Sequence, residues 1–178
     1  MAPSTTGLLW AKHGHGKDAT SYHPLSCHVI DVASVALAMW RQIAPPALRR
    51  GLASGLGIDE PATERWVAFL AGLHDLGKAS PGFQAKVPAA RAALEAAGWP
   101  FPATVDDPGH GLVSAAALEH LLPAYGLPPE LATPLAVAVG GHHGVLPLLG
   151  DIPALQNVHV CGPPPWMAAR QQLADQLA

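Results

Sequence analysis

Cys27 and Cys161 are the only thiols in this 178-residue chain, and no Cys-x-x-Cys occurs. That argues against both a disulfide framework and a thiolate zinc site. The pair reads as two isolated, reduced cysteines. Charge is scarce too, at 13% of residues with a formal net charge of -3. So little basic charge leaves no broad cationic face for nucleic acid. A strand would have to be gripped locally, by metals or by a partner. The cations near a possible site are only Lys12, Lys17, Lys78, Lys86 and Arg91. The N-terminus shows no charged-then-apolar signal pattern, and no apolar run is long enough to cross a bilayer. A cytoplasmic protein without a membrane partner is the expectation. Alternating β-branched runs are nearly missing, so strands are poorly signalled. No Gly-x-x-x-x-Gly-Lys-[Ser/Thr] phosphate loop occurs either.

What is present is apolar bulk and histidine. Nearly half the residues, 49%, are hydrophobic, and ten are histidine. This length and composition fit one domain over residues 1–178. The patterning is helical throughout. A first helix starts near Pro24, with Leu25, His28, Val29, Val32, Val35, Ala36, Met39, Trp40 and Ile43 on one stripe. Residues 45–61 read as a Gly/Pro-rich connection with a short helical turn. Pro61 opens a second helix with Trp66, Phe69, Leu70 and Leu73 on its apolar face. A third helix begins at Asp107-Pro108 and carries His110, Val113, Ser114, Ala117, Leu118 and Leu121. A fourth runs from Pro129 to His142, with Leu131, Leu135, Ala138 and His142 on one face, and a last one runs from Trp166 to Leu177.

The remaining stretches are less regular. Residues 1–22 read as loop, and His13-Gly14-His15-Gly16-Lys17 as a flexible surface segment whose histidines are alternatively metal ligands. Residues 79–109 hold two short helical pieces, one from Ser80-Pro81 through Phe83-Gln84 and one over 91–97. This region reads as a mobile flap.

The chain is organised around Leu73-His74-Asp75-Leu76-Gly77-Lys78. An imidazole and a carboxylate on adjacent residues both reach one divalent cation, and the second carboxylate oxygen is free to bridge to another. Gly77 reads as a helix-ending glycine, and Lys78 sets a cation beside an anion site. Any one of these histidines also reads as an ordinary core residue bonded to a backbone carbonyl. Four helices, however, each bring a histidine on or next to an apolar stripe: His28, His74, His110 and His142, with His143 adjoining. A metal gives them a shared reason. Five imidazoles and one carboxylate exceed one open tetrahedral site and suit two ions bridged by Asp75. Two nearby cations hold a hydroxide and polarise a phosphoryl oxygen together.

In order, His28, His74-Asp75, His110 and His142-His143 resemble the HD superfamily of metal-dependent phosphohydrolases. The likeness narrows with Leu9-Trp10-Ala11-Lys12, His23-Pro24-Leu25-Ser26-Cys27-His28, Asp31-Val32-Ala33, Phe83-Gln84 and His142-His143-Gly144. Together with His74 to Lys78, these resemble the HD nuclease domain of the type I CRISPR-associated helicase–nuclease, over roughly residues 8–145. The resemblance implies an all-α helical bundle with a metal site among its core helices. It implies a nuclease acting on single-stranded DNA, with an RNA-guided surveillance complex and a helicase portion, fused or in trans, as partners. His28, His74 and Asp75 would hold one ion, and His110, His142 and His143 the other, with Asp75 bridging. Lys78 would neutralise the scissile phosphate. Manganese, iron, nickel or cobalt suit such ligands better than magnesium. The family also has a downstream aspartate that neither Asp151 nor Asp175 matches, so the chain is expected to be part of a longer helicase–nuclease. Two other readings use the same residues: an HD phosphohydrolase of nucleotides or other small phosphate esters, and a non-catalytic helical docking domain.

Overall fold

Prolines and short polar caps start most of the helices. In the computed structural model, which describes residues 5–14 and 21–178, the order begins with a 3-10 turn and two short strands, β1 (Trp10–His13) and β2 (Tyr22–Pro24). His15, Gly16 and Lys17 lie outside the described residues. There follow α1 (Leu25–Gln42), α2 (Pro46–Leu56) and α3 (Glu60–Gly72), then a 3-10 segment over Leu73–Lys78. Next come α4 (Pro81–Gln84), α5 (Pro88–Ala96), α6 (His110–Leu121), α7 (Pro129–Gly140), α8 (Val158–Cys161) and α9 (Pro164–Asp175). Proline occupies the first turn of α2, α3, α4, α5, α7 and α9, where its missing N–H costs nothing. Asp59 caps α3 by accepting from Ala62 N at 2.7 Å, and Ser80 caps α4.

The fold is an all-α bundle, as expected, with two additions. β1 and β2 form a small antiparallel pair in the stretch read as loop. Residues 46–56 form a full helix rather than a turn, even with Gly51 and Gly55 inside it. α1 packs on α3, and α6 packs on both α7 and the Leu73–Lys78 segment. The core between them gathers Leu25, Val29, Leu73, Leu76, Leu118 and Trp166. Among the described residues no helix is long and apolar enough to cross a membrane.

Some expected faces shift. On α1 only Leu25, His28, Val29 and Trp40 are buried, while Val35, Met39 and Ile43 face outward. On α7 the buried positions are Ala132, Ala136 and Gly140, and Ala138 is exposed. The region expected to be a flap is built into the core instead: Ala79, Phe83, Leu94 and Trp99 are buried, and Trp99 packs edge-on against Trp166. Two of its prolines, Pro81 and Pro88, start helices.

Two backbone-to-backbone approaches set the spacing of the elements that matter below. At Gly77 a Cβ would meet His110 O at 2.0 Å, so the Leu73–Lys78 segment lies directly on α6. Gly77 is absent from the positive-φ glycines, so its role is close approach and not helix ending. Where α6 crosses α7, a Cβ on Gly111 would lie 2.5 Å from Gly140 O, and one on Gly140 would lie 2.8 Å from Gly111 O.

Candidate metal centre

Every side chain expected at the site arrives at one place. α1 presents His28 from its first turn, the Leu73–Lys78 segment presents His74, Asp75 and Lys78, and the first residue of α6 is His110. His142 and His143 occupy the turn after α7. The ligand atoms of His28, His74 and Asp75 lie within 4.8 Å of one another, and so do those of His110, His142 and His143. Asp75 touches both groups. Its Oδ2 lies 2.9 Å from His28 Nε2 and 3.1 Å from His74 Nε2; its Oδ1 lies 3.0 Å from His110 Nε2 and 3.5 Å from His142 Nε2. The His110 and His143 Nε2 atoms are 3.0 Å apart, and those of His110 and His142 are 3.3 Å apart.

Two of the outer nitrogens are tethered to backbone. His74 Nδ1 lies 2.9 Å from Ala71 O, and His142 Nδ1 lies 2.9 Å from Val139 O. A carbonyl only accepts, so each Nδ1 carries a proton and donates it. In the neutral ring the Nε2 lone pair then faces inward, toward a carboxylate oxygen. Two lone pairs in contact need something positive between them, either a second proton or a metal ion. Backbone tethering of this kind fixes the tautomer and aim of metal-ligating histidines.

The electrostatics agree. Asp75 is only 4% exposed. Burial works to raise its carboxyl, but hydrogen bonds from His110, His28, His74 and Lys78 together outweigh burial and hold it well below the usual carboxylate range. His142 is pushed down, by burial first. Burial acts against a proton on His74 too, but the Asp75 hydrogen bond and charge win and raise it. The donor set fits a bound transition metal: imidazole nitrogens aimed inward, one shared carboxylate and tethered outer nitrogens.

Lys78 is 9% exposed. Its Nζ bonds Asp75 Oδ2 at 2.8 Å and Ala11 O at 3.1 Å. Two supporting residues went unrecognised in the sequence. Ser114 was legible only as part of an apolar stripe, yet its Oγ accepts from Gly77 N at 2.8 Å and donates to His74 O at 2.8 Å. A hydroxyl in the middle of an otherwise apolar helical face was the available signal. Gln84, noted only as a motif residue, is fully buried and bonded to backbone. Of the other described histidines, His23 pairs with Asp31 and lies edge-on to His28 with ring centroids 5.9 Å apart, His13 meets Gly14 O, His159 meets Thr104 O and His120 is exposed; none belongs to either ligand group. Asp151 is exposed and Asp175 bonds Tyr125 and Gln171, so neither joins the cluster. Of the other cations, Lys86 pairs with Asp107 and Arg91 with Glu95.

Residues 10–178 match the family described as Cas3, HD domain. The chain belongs to the Cas3 HD domain family. A Thermus thermophilus protein named CRISPR-associated endonuclease/helicase Cas3 is 39% identical over 170 residues, covering 95% of this chain and 18% of the relative. The chain therefore spans about a fifth of that Cas3 relative's length. A solved Thermus thermophilus cas3 HD domain, crystallised in the presence of Ni2+, is similar with a TM-score of 0.67 at 34% identity, over 98% of this chain and 64% of that one. A chain in a structure described as a CRISPR RNA-guided surveillance complex, pre-nicking, is similar with a TM-score of 0.77 at 29% identity, over 95% of this chain and 20% of that one.

Proposed function

We propose that this Cas3 HD domain is a metal-dependent nuclease that cuts single-stranded DNA during type I CRISPR interference. The observation that carries the reading is one carboxylate, Asp75, facing two histidine groups at once. His28, His74 and Asp75 would hold one cation, and His110, His142 and His143 the other, with Asp75 reaching both. When bound, such cations make water a nucleophile at neutral pH and polarise a phosphoryl oxygen. Manganese, iron, nickel and cobalt suit imidazole better than magnesium does, and the similar solved domain was crystallised with Ni2+.

The chain's own residues divide the remaining tasks. The Nδ1–H groups of His74 and His142 hold their rings on backbone carbonyls, so neither ring turns when substrate enters. Lys78 offsets negative charge at the scissile phosphate at one remove, because its Nζ is bonded to Asp75. Exposed His143 and half-buried His142 mark an open side, which suits a passing strand better than an enclosed small molecule. The single domain over residues 1–178 would act with a helicase portion of a longer protein and with an RNA-guided surveillance complex. The names of the similar proteins support both partners. The test is cleavage of a single-stranded oligonucleotide with Mn2+, Ni2+ or Co2+, beside a mononucleotide control. Chelator should stop cutting, and His74→Ala and Asp75→Ala should each lower it about a hundredfold or more. Cutting retained in both variants, or turnover of the mononucleotide alone, would refute the assignment.

A further inference from the structure

Two motif pieces touch no proposed ligand directly: Trp10-Ala11 on β1, and Gln84 at the end of α4. They are 74 positions apart and meet each other. The Gln84 side chain has 0% exposure. Its Oε1 accepts from Trp10 N at 3.2 Å, while its Nε2 donates to Trp10 O at 2.9 Å and to Lys78 O at 2.9 Å. Giving to and taking from the same residue is what a neighbouring antiparallel strand does. The Gln84 amide therefore substitutes for one residue of a third strand and fixes where Trp10 sits.

Trp10 in turn fixes Ala11. The β1–β2 ladder steps from Trp10–Pro24 to Lys12–His23, so Ala11 is an extra residue on β1. Such a bulge takes the extra residue out of the ladder and re-aims its groups. The Ala11 carbonyl is the one that accepts from Lys78 Nζ at 3.1 Å, and the same Nζ holds Asp75 Oδ2 at 2.8 Å. Gln84 thus grips both ends of the lysine: its backbone directly through the Lys78 carbonyl, and its ammonium indirectly through Trp10 and Ala11. A leucine would fill the same volume but leave Trp10 N, Trp10 O and Lys78 O buried without this partner.

We propose that Gln84 is a positioning residue that keeps Lys78 on Asp75, and so aims the carboxylate that the two histidine groups share. The inference rests on the metal-centre reading above, and its test does not depend on DNA being the substrate. Gln84→Met, Lys78→Met and the double variant would be made in the 178-residue chain. Each would be titrated with Co2+, following affinity by calorimetry and coordination by visible absorption, then assayed on single-stranded DNA. Removing support one shell out from a ligand typically costs about 10- to 100-fold in metal affinity or activity. We expect a loss of about tenfold in Co2+ affinity and an altered Co2+ spectrum in each single variant. The double variant should be no worse than Lys78→Met alone, because Gln84 acts through that lysine. An unchanged Co2+ spectrum and affinity in folded Gln84→Met, or losses that multiply in the double variant, would overturn the proposal. If Gln84→Met does not fold, Gln84→Glu takes its place in the cycle, since it keeps the shape and the acceptor for Trp10 N. Failure of both to fold assigns Gln84 a scaffold role and overturns positioning. Wild-type chain that binds Co2+ but cuts no DNA would sink the nuclease reading and leave the Co2+ cycle to decide this one.

Discussion

Gly77→Ala is a single-carbon change whose cost can be read from the backbone. The added Cβ would lie 2.0 Å from His110 O and 2.5 Å from Ser114 N, both main-chain atoms of α6. Side-chain carbons rarely approach closer than 3.0 Å, so the Leu73–Lys78 segment and α6 must separate by about 1 Å. No side chain can rotate out of the way. Overpacking in well-filled interiors costs typically 1–3 kcal/mol, and a backbone-on-backbone contact belongs at the upper end, about 3 kcal/mol. The same movement carries His74 and Asp75 away from His110, stretching the 3.0 Å contact between His110 Nε2 and Asp75 Oδ1. Urea unfolding of the metal-free protein measures the first effect and calorimetric Ni2+ binding the second. A lower unfolding midpoint with at least a tenfold loss in Ni2+ affinity is expected. A variant with wild-type midpoint and wild-type affinity would show that the segment does not bear on α6 as described.

Two further outcomes follow from neighbouring residues. Ser114→Ala removes the hydroxyl shared by Gly77 N and His74 O. Losing both hydrogen bonds should lower urea stability by about 2 kcal/mol, and a loss under about 0.5 kcal/mol would contradict the hydrogen-bond assignment. The third outcome concerns pH in the metal-free protein. The Asp75 carboxyl is depressed in the fold from its ordinary 3.8, so its ionised form stabilises the native state above that value. That contribution is lost as pH falls below about 4 and on toward the folded value. Urea midpoints at pH 7, 5 and 3 should therefore fall more steeply in wild type than in Asp75→Asn, and equal slopes would remove Asp75 from the acid response.

The histidine cluster was legible because its histidines interrupt apolar stripes, where a buried imidazole needs a partner. His28 on α1, His110 opening α6 and His142 after α7 all fell on such stripes, and the structure brings them to Asp75. α2 was not legible, since Gly51 and Gly55 weaken helical propensity and only Ala53 is buried to give it a face. β1 is too short to alternate, and it is held from outside by Gln84 as well as by β2. Residues 79–109 misled because proline and glycine signal loops locally. The short helix from Ser80-Pro81 was read as it stands, but Pro88 starts α5 earlier than expected, and a Cβ on Gly82 would lie 2.6 Å from Asp106 O. No local pattern reports that kind of long-range contact.

The crossing of Gly111 on Gly140 has a consequence for variation. It joins the element that carries His110 to the one that ends just before His142, without any side chain between them. A joint made only of main chain cannot drift as surrounding side chains are exchanged. Surface changes at the exposed positions of α7, and at Glu119 and His120 of α6, can raise or lower melting temperature while the two imidazoles keep their separation. Attempts to make this domain hardier have freedom at those exposed positions and almost none at the two glycines.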